Sequence, residues 1–161
     1  MTMKFFQVDA FSSRPFAGNP AAVMPLKEWL PDEMLAAIAA EHNLAETAYF
    51  VPQGQDFHLR WFTPTVEMPL CGHATLASAF VVLNHLQPGR DKVVFHTLSG
   101  ALTVTRDGDR LIMDFPTRQN EPASVSELAP VAEAIGAKII DLRRSWTYLA
   151  VVESEDVVRD L

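Results

Sequence analysis

Apolar and polar positions change rhythm several times along the chain, and each change marks an element. Lys4 to Phe11 is rich in aromatic and β-branched residues and reads as a strand. Ser12 to Gly18 interrupts it as a loop, Asn19-Pro20 reads as a turn, and Ala21 to Leu26 is a second short apolar strand. Pro31-Asp32-Glu33 opens a helix with its acids at the positive end. Met34, Leu35, Ile38 and Ala39 line one face, and the helix runs out near Asn43. Glu46 to Val51 and Phe57 to Phe62 are strands, and Pro52 and Gly54 between them point to a hairpin. Val93 to His96, Ala101 to Arg106 and Leu111 to Phe115 are further strands, the last two joined at Asp107-Gly108. Thr117 to Ser124 is polar and reads as a linker. A helix over Val125–Ile135, ended by Gly136, then a strand over Trp146–Glu153 and a helix from Glu155 complete the pattern.

The segment from His73 to Leu86 breaks from the rest. Ala74, Leu76, Ala77, Ala79, Phe80, Val81, Val82 and Leu83 occupy every side of a helical wheel. A surface helix keeps a polar face, so this one is expected to be buried, with strands wrapped around it. The first N–H groups of a helix lack intrahelical partners, and the dipole makes that end positive. Where such an end opens into a cleft it is ready to hold an anion. Gly72 allows close approach to the backbone, His73 can exchange a proton or hold a carboxylate, and Thr75 offers a hydroxyl. Two readings stand side by side. Gly72-His73 is either a tight turn with a satisfied imidazole or the floor of a site. Cys71 is either a small buried hydrophobe or a thiol activated by the helix start.

Strands and helices do not alternate strictly, and there is no GxGxxG or phosphate-cradling loop, so a nucleotide-binding parallel sheet is disfavoured. An α+β domain over residues 1–116, a curled mixed β-sheet wrapped around one buried helix, fits better, with residues 117–161 beginning a second domain.

Composition narrows the function classes. With 48% hydrophobic and 20% charged residues the chain is globular rather than disordered. A formal net charge of -7 without a basic stripe argues against nucleic acid. No run is long enough to span a membrane, and the first residues lack a secretory pattern, so the cytoplasm is the expected compartment. The single cysteine rules out an intrachain disulfide. None of the histidines His42, His58, His73, His85 and His96 stands in metal-ligand spacing, so no metal site is expected. His42 and Glu46 are four apart, but the helix ends between them. A serine hydrolase elbow is also missing.

Three motifs then occur in order. They are Gln7-Val8-Asp9-Ala10-Phe11 with Phe16-Ala17-Gly18-Asn19-Pro20-Ala21-Ala22-Val23, then Asn43-Leu44-Ala45-Glu46-Thr47-Ala48-Tyr49-Phe50, then Phe62-Thr63-Pro64 with Glu67 and Leu70-Cys71-Gly72-His73-Ala74-Thr75. Together they resemble the phenazine-biosynthesis (PhzF) family of isomerases. The resemblance implies a diaminopimelate-epimerase-like fold of two similar domains with the active site between them, and proton-shifting chemistry without a cofactor. It implies that Glu46 is the general acid/base and that His73 takes part in proton handling or substrate binding. It also implies that Gly72 offers its N–H to a substrate carboxylate and that Asn19 is a substrate contact. Cys71 falls where related epimerases carry a catalytic cysteine, but these continue Gly-Asn, not Gly-His, which favours a Glu46 mechanism over a thiol base.

Members of that family have longer chains, so the second domain is expected to be incomplete here. Trp146, Tyr148, Leu149, Val151 and Val152 are expected to need cover, from a second copy or from a complementary half. The expected function is an isomerase acting on a small carboxylate-bearing substrate. The alternative is a catalytically incomplete module that binds a small molecule or serves as a subunit.

Overall fold

A computed structural model describes residues 2–117 and 119–161; Arg118, within the polar segment read as a linker, lies outside them. The chain divides into two compact units, one ending at Phe115 and the other starting at Pro116.

The first unit is an α+β domain built on one curled mixed sheet. Its strands are β1 (Phe6–Ala10), β2 (Asn19–Pro25), β3 (Glu46–Gln53), β4 (Asp56–Phe62), β5 (Glu67–Met68), β6 (Lys92–Thr97), β7 (Gly100–Asp107) and β8 (Arg110–Asp114). The order across the sheet is β1-β2-β3-β4-β6-β7-β8, with β5 paired to β4. β2 runs parallel to β3 and β4 parallel to β6; the remaining pairs are antiparallel. Helix α1 (Asp32–His42) links β2 to β3, and helix α2 (Gly72–Val81) links β5 to β6.

The central expectation, a helix enclosed by a curled sheet, is met. Helix α2 packs on β1, β2, β3 and β8, so the two outermost strands both reach it. Ala74, Ala77, Ala79 and Val81 are buried, and their small side chains let the sheet close in. Successive buried residues of β2 and β3 point to opposite sides of the sheet. Ala21, Val23, Ala48 and Phe50 face α2, whereas Met24, Tyr49 and Val51 face α1 on the other side. Strand β3 thus carries apolar residues on both faces, as a strand covered on both sides must. The α1 layer is tied down by the Tyr49 hydroxyl, which donates to the Leu35 carbonyl at 2.8 Å.

Several expectations need correction. α2 is not sealed all round: Phe80 is 41% exposed, and Gly72, Leu76, Phe80 and Asn84 follow one another at four-residue spacing along its open side. Nor does the helix continue regularly to Leu86, because Val82–Leu86 is a wider π turn. There Asn84 donates to the Phe80 carbonyl at 2.9 Å and Arg106 to the Leu83 carbonyl at 3.2 Å, so side chains take up backbone acceptors of the last turns. On α1, Leu35 and Ala39 are buried but Met34 is half exposed. Asn19-Pro20 is not a turn: the two residues begin β2, opposite Ala10 and Asp9. The turn lies upstream, where Phe11 and Phe16 adopt positive φ of 62° and 63°.

The second unit has a three-stranded sheet, β9 (Glu121–Pro122), β10 (Ile139–Arg144) and β11 (Tyr148–Val152), in the order β11-β10-β9. Its helices are α3 (Val125–Ile135) and α4 (Glu155–Arg159). α3 starts with a capping box in which Glu127 and Ser124 bond reciprocally, and ends at Gly136 with φ 67°. The pattern missed β10 because a bulge between Ile139 and Asp141 breaks its period of two. The strand read from Trp146 starts instead at Tyr148, since Ser145 and Thr147 bond to each other across a turn. Among the described residues of this unit, only Leu142 is buried among the apolar side chains.

Candidate active site

Glu46 is the first residue of β3, and Cys71 and His73 bracket the first residue of α2. In sequence they are far apart. The parallel β2–β3 pairing and the curl of the sheet over α2 bring them together. Ala21 is the register partner of Glu46. Ala21, Ala48 and Phe50 share the face against α2, so the period of two puts Glu46 on that inner face. Asn19, two residues before Ala21, shares the face and lies at the same end of the sheet, where it is exposed.

The Glu46 Oε2 and the His73 Nε2 stand 3.3 Å apart. His73 is 8% exposed, and the approach is off-line, so Nε2 is buried without an aligned hydrogen-bond partner. On the other side of the ring, Nδ1 meets the Cys71 sulfur at 3.5 Å. One ligand atom from each of Glu46, Cys71 and His73 falls within 4.8 Å of the others. The sequence shows no metal-type spacing here, because the three donors come from two elements joined only in the fold.

Burial pushes the Cys71 thiol up to about 12. The N–H groups of Ala74 and His73 pull the other way, and the Glu46 carboxyl adds to the rise. Cys71 therefore stays a protonated thiol at neutral pH, and of the two readings of this residue the buried thiol is the better physical description. A thiol keeps its proton available to Nδ1. The carboxylate beside Nε2 favours a proton on that nitrogen. Both effects select the tautomer with Nδ1 as acceptor and Nε2 as donor.

The N-cap residue Cys71 is extended, and no side chain caps the first turn in hydrogen-bond geometry. Gly72 is partly exposed, and a side chain there would meet only Met113 and Phe115, at 3.8 and 3.9 Å, which is ordinary contact. Those two residues at the end of β8 wall the helix start; no sequence signal singled them out. Thr75 is fully buried, and its hydroxyl donates to the Cys71 carbonyl at 2.5 Å. Its proton holds the first turn of α2 together. The segment leading to Cys71 is anchored twice more: the Ser99 hydroxyl donates to the Pro69 carbonyl at 2.7 Å, and Arg60 grips Glu67 through two bonds of 2.7 Å. Glu67, part of the third motif, is thereby a structural partner of Arg60.

Gly18, from the first motif, has a steric reason to be glycine. A Cβ there would press on the Ala10 carbonyl oxygen and lie 2.9 Å from the Asp9 carbonyl carbon. Asp9 also accepts from the Phe16 N–H at 2.9 Å, so the loop before Asn19 is held against β1.

The PhzC-PhzF family, described as phenazine biosynthesis-like protein, matches residues 8–161. Two proteins of Pseudomonas aeruginosa, each named an uncharacterized isomerase, are 48% and 47% identical over 161 and 160 residues. They are matched over 100% and 99% of this chain and 61% and 60% of their own. The crystal structure of a PhzF-family phenazine biosynthesis protein from Enterococcus faecalis is 40% identical, with a TM-score of 0.90 over 98% of this chain and 60% of its own. This chain thus spans about three-fifths of the length of these relatives.

Proposed function

The chain belongs to the PhzC-PhzF family of phenazine biosynthesis-like proteins, and from that premise and the geometry at the head of α2 we propose that it provides one wall of an isomerase site. The observation that carries the reading is the 3.3 Å approach of Glu46 to His73 at the uncapped start of a buried helix. Glu46 accepts a proton from a carbon of a small carboxylate-bearing substrate and returns it to another carbon of the same molecule. The N–H group of Gly72 holds the substrate carboxylate, with the helix dipole favouring its charge. His73, its Nδ1 held by the Cys71 thiol, presents Nε2–H to the anionic intermediate or to Glu46. Asn19, at the same end of the sheet, orients the substrate. Thr75 and Cys71 contribute by positioning. The proton shift needs only these side chains, with no cofactor.

A second reading, binding without turnover, is favoured by the second unit. Its Val125, Ile140, Leu149 and Val158 are more than half exposed, more apolar surface than so small a unit leaves open without a partner. On this reading the chain holds its ligand, and a second copy or a complementary half completes the cleft.

One experiment separates them. The chain is incubated in D2O with a panel of small unsaturated and hydroxylated carboxylic acids, and carbon-bound deuterium is followed by NMR. The isomerase reading expects exchange that Glu46→Gln abolishes while ligand binding persists. Binding without exchange in the unsubstituted protein favours the second reading, and exchange undiminished in Glu46→Gln would sink the first.

A further inference from the structure

The sheet of the first unit ends in β1 on one side and β8 on the other. Among the described residues each of these strands pairs with one other strand only, so each keeps one edge of backbone N–H and C=O groups free of a ladder. Natural sheets blunt such edges with charge, proline or a bulge. β8 reads Arg110-Leu111-Ile112-Met113-Asp114, an aliphatic centre between opposite charges, and Ile112 is 51% exposed. We propose that β8 pairs antiparallel with β8 of a second copy of this chain, about a two-fold axis that passes between the two copies of Ile112. The pairing does not rest on the isomerase reading.

Register carries the proposal. The two-residue turn Gly108-Asp109 makes Asp107 and Arg110 a hydrogen-bonded pair, and such pairs alternate along an antiparallel ladder. Arg110, Ile112 and Asp114 therefore point their N–H and C=O groups at β7, and Leu111 and Met113 point theirs outward. With Ile112 on the axis, Leu111 falls opposite the partner's Met113, and Met113 opposite the partner's Leu111, so the outward groups bond to each other. The same register sets Arg110 against the partner's Asp114, and Asp114 against the partner's Arg110. Ile112 meets the partner's Ile112 in the closer, non-hydrogen-bonded kind of pair. The side chains agree with this arrangement. Leu111 and Met113 pack on the core, so Arg110, Ile112 and Asp114 share the solvent face on which the cross-strand pairs form. Pro116, without an N–H, ends the ladder.

Other pairings of these edges are poorer. A parallel, in-register contact of β8 would set Arg110 against the partner's Arg110 and Asp114 against the partner's Asp114. β1, Phe6-Gln7-Val8-Asp9-Ala10, brings no opposite charges together when paired with itself about Val8, and its Asp9 carboxylate already accepts from the Phe16 N–H. An edge of five residues covers little area, so the dimer is reversible and depends on concentration.

Sedimentation equilibrium of the full chain, from micromolar to millimolar concentration, provides the test. The proposal expects a monomer–dimer equilibrium that Arg110→Asp weakens by roughly tenfold or more, since both charge pairs turn repulsive, and that Arg110→Asp combined with Asp114→Arg restores. Circular dichroism checks the fold of each variant. Ile112→Cys should give a disulfide-linked dimer on mild oxidation, because such a pair holds its Cα atoms about 4.5 Å apart, within disulfide reach. Leu98→Cys, on the more exposed turn before β7, should not. Amide exchange at Leu111 and Met113 should slow as concentration rises. A chain that stays monomeric at millimolar concentration overturns the proposal. So does a dimer indifferent to the charge reversal, which would place the contact elsewhere, as on the exposed apolar residues of the second unit. Protection of Leu111 and Met113 that dilution leaves unchanged would mean that the edge is covered from within the chain, and overturns it too. None of these readouts involves turnover, so loss of the dimer and loss of the isomerase reading are separately visible.

Discussion

Glu46 Oε2 and His73 Nε2 meet at 3.3 Å although 27 positions separate them in the chain. The contact exists because β3 begins beside the start of α2, and because β2 and β3 run parallel with Ala21 opposite Glu46. Everything proposed for the site depends on this meeting of a strand start and a helix start.

The first prediction concerns the far side of the imidazole. Cys71→Ala removes the group that faces Nδ1 at 3.5 Å and so frees the tautomer. On the isomerase reading proposed above, turnover should fall roughly tenfold, the size of one hydrogen bond of about 1.4 kcal/mol. KM should barely move, and the pH profile should shift. Removing the imidazole by His73→Ala should cost more, on the order of 10²- to 10⁴-fold in kcat. Steady-state kinetics across pH distinguishes the two, since a merely structural cysteine would leave the profile in place.

Alkaline stability is the second. Burial raises the Cys71 thiol to about 12 from 9.0, and burial also raises the Tyr49 hydroxyl. Both groups are neutral when protonated, so the folded state binds more protons than the unfolded state between the two values. Stability from Cys71 is complete below pH 9 and declines as pH rises from 9 toward 12. Its share is about 4 kcal/mol at most. Urea midpoints measured from pH 8 to 11 should fall steadily, and the fall should be shallower in Cys71→Ala.

Gly18 supplies the third. Because the obstructing atoms are backbone atoms of Asp9 and Ala10, they cannot rotate aside. Gly18→Ala should destabilise the first unit by about 1–3 kcal/mol and move Asn19 away from the Glu46 end of the sheet. Urea denaturation gives the first effect. A fall in ligand affinity beyond that of a control alanine in the exposed loop, such as Ser13→Ala, gives the second.

The fourth tests the anchor beneath the site. Arg60 bonds Glu67 twice, reaches Asp32 at 2.8 Å, and lies 5.2 and 5.1 Å from the ring centres of Trp29 and Phe62. Lysine keeps the charge but not the planar fork. Arg60→Lys should therefore cost about 1–2 kcal/mol, most of it from Glu67, since Asp32 is exposed and screened. Hydrogen exchange at Glu67 and Met68 should quicken more than at β7.

Much of this protein was legible from its residues alone. An all-apolar run from Ala74 to Leu83 demands enclosure whatever surrounds it, and hairpins at Gly54 and Gly108 follow from turn chemistry, both glycines having positive φ. The identity of the three motifs, and with it the family, also lay in the order of residues. Local pattern failed where a neighbour intervened. The bulge at Ile139–Asp141 erased the alternation of β10, and the end of the central helix widens to a π turn, where Arg106 and Asn84 bond backbone carbonyls. Only the tertiary structure decided that the Cys71 thiol faces one imidazole nitrogen and Glu46 the other, that Thr75 spends its proton on the helix turn, and that Glu67 belongs to Arg60. The reason is physical. Periodicity and turn propensity are written in neighbouring residues, whereas a site of this kind is set by strand register and sheet curvature, which place side chains to within an ångström only when the whole core has packed.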